Sequence, residues 1–141
     1  MAADTAKKKK KIKGIVTRGK RKEATARASI RDGHGTVRIN SLKLEAIQSP
    51  YVRDIIAEPL RFVDASKYDI SINVNGGGTM GQAQAARTAI ARALVEKTGD
   101  AELKKKMLEY DRSLLVEDSR RVEPKKFLGP KARARFTTSY R

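Results

Sequence analysis

The sequence predicts an α+β fold: a single small domain in which a mixed sheet is packed by helices, flanked by a basic arm and a long extended basic tail. Length is the first observation, because 141 residues make one compact domain and are too few for two ordinary ones. Periodicity is the second. Apolar residues recur at two-residue spacing in some segments and at helical spacing in others, so strands and helices are mixed along the chain. Charge is the third. The formal net charge is +16, with 32 Lys and Arg against 16 Asp and Glu, and it is concentrated at the two ends. These features divide the chain into an arm over 1–14, a domain over 15–118 and a tail over 119–141.

The arm holds five consecutive lysines, Lys7 to Lys11, which repel one another and bury nothing, so the sequence predicts a disordered segment ordered only by a partner. From Ala24 the pattern is that of a strand: Ala24, Ala26, Ala28 and Ile30 fall on one face, and Thr25, Arg27, Ser29 and Arg31 on the other. Asp32-Gly33-His34-Gly35 then supplies a turn, and Val37 and Ile39 alternate beyond it, which predicts a hairpin with a second strand. Tyr51, Val52, Ile55 and Ile56, bracketed by Pro50 and Pro59, predict a short helix starting near Pro50 and packing on the sheet. Ile70, Ile72 and Val74 mark another strand, ended by Gly76-Gly77-Gly78. An alanine-rich helix follows over about 79–97, with Ala83, Ala86, Ile90 and Leu94 as its apolar stripe and Gly99 as its stop. Residues 101–110 read as a last helix that buries Leu103 and Met107 and exposes Lys104 to Lys106. Beyond Asp118, Pro124 and Pro130 interrupt regular structure. Fully extended, the tail spans roughly 75–80 Å, against a radius of gyration of about 12–13 Å for the domain.

Segment by segment, residues 1–22 carry ten bases and one acid, residues 119–141 eight and one, and residues 23–118 fourteen of each. Such neutral-centred, basic-ended chemistry calls for a polyanion rather than a small-molecule substrate. No window reaches the roughly 18–20 apolar residues of a membrane span, and the N-terminus lacks a signal peptide's apolar stretch, so the expectation is a cytoplasmic protein with no membrane partner. With no Cys and one His, thiolate chemistry and His- or Cys-based metal sites are excluded.

Among candidate catalytic motifs, Gly76-Gly77-Gly78-Thr79-Met80-Gly81 satisfies the dinucleotide-binding glycine spacing between a strand and a helix. It stands beside two other readings: a structural turn, and a helix N-terminus offering N–H groups to an RNA phosphate. No Lys follows the glycines as a phosphate-binding loop requires, and a helix is expected where a second Rossmann strand should be. His34 in its turn reads as exposed, and Glu117-Asp118 as solvated charge. The tail is more informative, because Phe127, Phe136 and Tyr140 alternate with its bases. Aromatic faces stack on unpaired bases while cations neutralise phosphates, the pattern of RNA contact. Zinc-finger spacing and basic-zipper heptads are missing, which weighs against specific DNA readers.

Four motifs then converge on one resemblance: Lys20-Arg21-Lys22-Glu23-Ala24-Thr25-Ala26-Arg27, Gly76 to Ala83, Ile90-Ala91-Arg92-Ala93-Leu94 and Lys131-Ala132-Arg133-Ala134-Arg135. In this order they closely resemble the universal small-subunit ribosomal protein S nine family, from about Ile15 to Arg141. The resemblance implies the fold of the second domain of ribosomal protein S five, no enzymatic activity and no cofactor. It also implies a place in the head of the small subunit, with small-subunit ribosomal RNA, neighbouring ribosomal proteins and peptidyl-site transfer RNA as partners. On the matching positions, Lys20, Arg21, Lys22, Arg27, Gly77, Gly78, Gln82, Arg120, Arg121, Lys125, Lys126, Lys131, Arg133 and Arg135 are expected at ribosomal RNA. Ser139, Tyr140 and Arg141 are expected at the transfer RNA anticodon stem-loop. Bacterial members usually end Ser-Lys-Arg; the ending Ser139-Tyr140-Arg141 resembles the archaeal and eukaryotic branch. It removes one cation and leaves Arg141 as the clearest phosphate contact. The fold is shared with some small-molecule kinases, so fold alone does not decide function. A nucleotide-binding enzyme and a DNA-compacting protein are the competing classes.

Overall fold

A computed structural model describes residues 14–139, so the lysine arm, Tyr140 and Arg141 lie outside the described residues. Five strands, β1 (Ile15–Arg21), β2 (Ala24–Asp32), β3 (Val37–Ile39), β4 (Leu42–Lys43) and β5 (Tyr68–Asn75), form one sheet in the order β1-β2-β5-β3-β4. β1, β2 and β5 are antiparallel neighbours, β3 runs parallel to β5, and β4 is antiparallel to β3. The sheet is mixed, as expected.

Two sequence expectations are corrected here. Val37 and Ile39 do not form a hairpin with β2: β5 lies between them, so the 33–36 turn carries the chain across one strand position. The hairpin that does form joins β1 to β2 through Lys22 and Glu23, with Lys22 in the left-handed region at φ 53°. The 33–36 segment is held instead by Asp69, whose Oδ1 accepts the N–H groups of His34 and Thr36 at 3.0 and 2.9 Å.

α1 (Pro50–Ala57) starts at its proline as predicted, but its main packing partner is α2 (Thr79–Thr98) rather than the sheet. α2 lies across β1, β2 and β5 and is buried on more than a stripe, with Ala85, Thr88, Ala89, Ala91 and Ala93 enclosed besides the four predicted positions. Small residues set the closeness of this contact. A Cβ on Gly19 of β1 would stand 2.1 Å from the Ala85 carbonyl oxygen, and the Thr17 hydroxyl donates to the Ala89 carbonyl at 2.7 Å. Gly99 ends α2 in the left-handed region at φ 71°. α3 (Ala101–Tyr110) follows it directly and buries Leu103 and Met107 as read from the sequence. The helices therefore cover one face of the sheet, and the core lies between that face and α2.

Candidate nucleic-acid interface

The predicted RNA-contacting residues Lys20, Arg21, Lys22, Gly77, Gly78 and Gln82 meet at one end of the sheet. Lys20 and Arg21 close β1, Lys22 makes the turn, and the backbone of Glu23 and Ala24 touches the glycine loop: Cβ atoms on Gly76 and Gly77 would lie 2.7 Å from Glu23 O and 2.9 Å from Ala24 N. Both glycines have positive φ, 75° and 67°, so the turn reading accounts for them. Gly78 differs. It caps α2 at φ −97° with open space where its Cβ would be, so no packing in this fold demands glycine there. Gln82 braces the loop from within α2, its Nε2 donating to the Gly76 carbonyl at 3.1 Å. α2 leads into α3 and not into another strand, so the second half of a dinucleotide fold is missing among the described residues.

The tail begins beside the same turn, and α2 fixes its start. Arg92 donates from Nε to the Leu115 carbonyl at 2.9 Å and from Nη1 to the Arg18 carbonyl and Glu117 Oε1, both at 2.8 Å. Arg87, with a side chain 12% exposed, stands between Glu58 and Asp111; its Nε lies 2.6 Å from Glu58 Oε2 and its Nη2 2.7 Å from Asp111 Oδ2. The Glu58 contact is short but not aligned as a hydrogen bond, and it acts as charge pairing. Burial alone would raise the Asp111 carboxyl, yet the Ser113 hydroxyl and N–H, with Arg87, outweigh it and hold it below its ordinary value.

Asp118 joins the end of β1 to the start of the tail. It accepts from Arg21 Nη1 and from the Arg120 backbone N–H and guanidinium, the latter at 2.6–3.1 Å. Hydrogen bonds from Arg120, side chain first and backbone second, hold its carboxyl far below the ordinary 3.8, and Arg120 is raised in return. Glu117 and Asp118 are therefore ion-paired to Arg92 and Arg18 and to Arg21 and Arg120, which corrects their reading as solvated charge. Sequence reasoning missed this clamp, because apart from the local Asp118–Arg120 pair its partners lie 25 to 99 positions apart and no local spacing marks them.

Beyond Asp118 the described chain has neither helix nor strand, as the prolines predict. It is nevertheless looped: Arg133 forks onto Glu123 at 2.6 and 2.8 Å, lowering that carboxyl, and Arg135 Nη1 donates to the Phe127 carbonyl at 3.4 Å. Phe127 and Phe136 are 86% and 72% exposed. Arg121 bonds only backbone carbonyls, and Lys125, Lys126 and Lys131 are exposed without a carboxylate partner among the described residues. Arg27 lies apart from these groups, in mid-strand on the uncovered sheet face, and Ser139 closes the described chain.

Residues 19–141 match the family model described as Ribosomal protein S9/S16. The chain belongs to this family. Relatives include the small ribosomal subunit protein uS9 of Halobacterium salinarum, 52% identical over 128 residues that cover 89% of this chain and 97% of that protein. The protein of the same description from Methanothrix thermoacetophila is 47% identical over 132 residues, covering 92% of this chain and all of the relative. Both relatives are archaeal, in line with the Ser-Tyr-Arg ending. Members of the S9 family are structural ribosomal components and not enzymes, which disposes of the nucleotide-enzyme reading of the glycine loop.

Proposed function

We propose that this constituent of the small ribosomal subunit binds ribosomal RNA in the subunit head of the cytoplasmic ribosome. Its tail, over 119–141, runs on through RNA so that Ser139, Tyr140 and Arg141 approach transfer RNA in the peptidyl site. One observation carries the reading: the Lys20–Lys22 turn, the open backbone at Gly78 and the exit of the tail at Arg120 share one end of the domain, bound together through Asp118 and Ala24. A polyanion laid there meets cations from both ends of the sequence. Gly77, Gly78 and Gln82 present backbone and amide groups to a phosphate, and Lys125, Lys126, Lys131, Arg133 and Arg135 carry the neutralisation outward along the tail. Exposed Phe127 and Phe136 offer faces for unpaired bases. Neighbouring ribosomal proteins of the head complete the partners.

The test deletes Tyr140 and Arg141. Subunits assembled with the shortened chain should survive a high-salt wash with the protein still attached, while transfer RNA in the peptidyl site dissociates more readily, by at most about 1.5–3 kcal/mol for one charged hydrogen bond. Unchanged transfer RNA retention rejects the role of the last residues. Release of the full-length chain in the wash rejects a built-in constituent.

A further inference from the structure

We propose that the uncovered face of the sheet is a second RNA surface, one that takes the sugar-phosphate backbone of folded RNA rather than unpaired bases. The inference rests on the ribosomal RNA reading above and extends it to a face that reading leaves unused except at Lys20 and Arg27. All three helices lie on the opposite side, and the strand register places Arg18, Lys20, Arg27, Arg31, Arg38 and Lys43 together on this one. Five of the six are exposed, and Lys20 is partly so. Against them the strands set a single acid, Asp69, whose carboxylate is turned onto the His34 and Thr36 N–H groups and kept ionised by them below its ordinary value. Only Arg18 has a carboxylate partner, Glu117 at 3.4 Å, and Arg27, Arg31, Arg38 and Lys43 have none among the described residues.

Two further facts select the occupant. Arg18 stands directly opposite Arg27, and Arg38 opposite Lys43. Like charges facing each other across strands destabilise a sheet, and an anion laid over them removes the repulsion. The other positions of the face are exposed Val16, Ser71, Asn73 and Asn75 and half-buried Thr25 and Ser29, with no aromatic ring among them. Bases therefore find nothing to stack on, whereas hydroxyls and amides serve phosphate and ribose oxygens. Five strands at about 4.8 Å spacing make the face roughly 19 Å wide, broad enough for several phosphates at once.

The experiment uses the full chain and in-vitro transcribed small-subunit ribosomal RNA, titrated across a salt series. The triple variant Arg31→Gln, Arg38→Gln, Lys43→Gln should lower affinity and flatten the log affinity against log salt slope by about 2–3. An equal charge loss on α3, Lys104→Gln, Lys105→Gln, Lys106→Gln, should leave the slope as it was, with circular dichroism confirming that both variants fold. Because the chain has no Cys, Asn73→Cys introduces a unique thiol at the centre of the face. A tethered iron chelate there should cut the ribosomal RNA backbone in reconstituted subunits. Slopes that change equally for both triples, no change for the face triple, or a footprint on a ribosomal protein in place of RNA each overturn the proposal. Failure of the unaltered chain to bind the RNA overturns the broader reading as well, so the two failures are distinguishable.

Discussion

Gly19 shows how much one residue decides. Thr17, two residues earlier on the same face of β1, is buried and hydrogen-bonded to α2, and a methyl group at 19 would enter the space of the Ala85 backbone, where neither side can yield by a side-chain rotation. Gly19→Ala is expected to destabilise the chain by about 1–3 kcal/mol, the usual cost of overpacking, read as a lower denaturant midpoint at unchanged slope. Gly78→Ala, with open space around its Cβ, should leave the midpoint within about 0.5 kcal/mol. The same residues explain why β1 is absent from the sequence reading. Its buried positions are a Thr and a Gly, and its exposed ones are Val16 and Arg18, so alternation in hydrophobicity is nearly silent where alternation in burial is strong. The alanines of β2 and the isoleucines of β5 face the core with apolar side chains, and both strands were legible.

Among the elements, the long-range choices were hidden. The 32–35 turn has hairpin chemistry, but β5 offers Ile70, Ile72 and Val74 to the core beside β2, and burying three β-branched residues outweighs the short loop to β3. The candidate site divides in the same way. Its cations and glycines were visible as motifs, and Arg92 stood inside one, but the role of Arg87 and Arg92 in seating the tail was not legible, because their partners lie in an irregular segment without periodicity. The Asp118 junction gives this a measurable form. Its carboxyl is depressed in the folded chain, so it contributes stability above the ordinary carboxylate value of 3.8 and loses it only as pH falls through the lower folded value. Carboxyl-carbon NMR should show Asp118 titrating below 3.8, with Arg120→Gln raising its midpoint more than Arg21→Gln, because Arg120 supplies the leading hydrogen bonds and Arg21 a lesser attraction. A larger effect of Arg21 would reverse that order of causes.

For the whole molecule, a neutral middle carries charged ends, and the structure distributes that charge unequally. Arg120 and Arg133 are engaged with carboxylates, whereas Lys125, Lys126, Lys131 and Arg135 have no acidic partner among the described residues. Replacing these four by Gln in the full chain should reduce the salt slope of RNA binding by about 3, at roughly 0.7–0.9 per phosphate contact. Arg133→Gln should reduce it less than one average member of that set, since part of its charge is already satisfied. Equal slopes before and after the fourfold change would place the tail outside the RNA-contacting surface.

The fork between Glu123 and Arg133 has a consequence of another kind. It ties together two points ten residues apart, and those ten residues would cover about 33–36 Å if drawn straight. An exposed ion pair of this sort is screened by solvent and weak, so the loop is slack that a modest pull pays out. A tether with reserve length can stay attached at both ends while the bodies it joins shift relative to one another. The arginines of α2 anchor the near end, and the loop absorbs the travel.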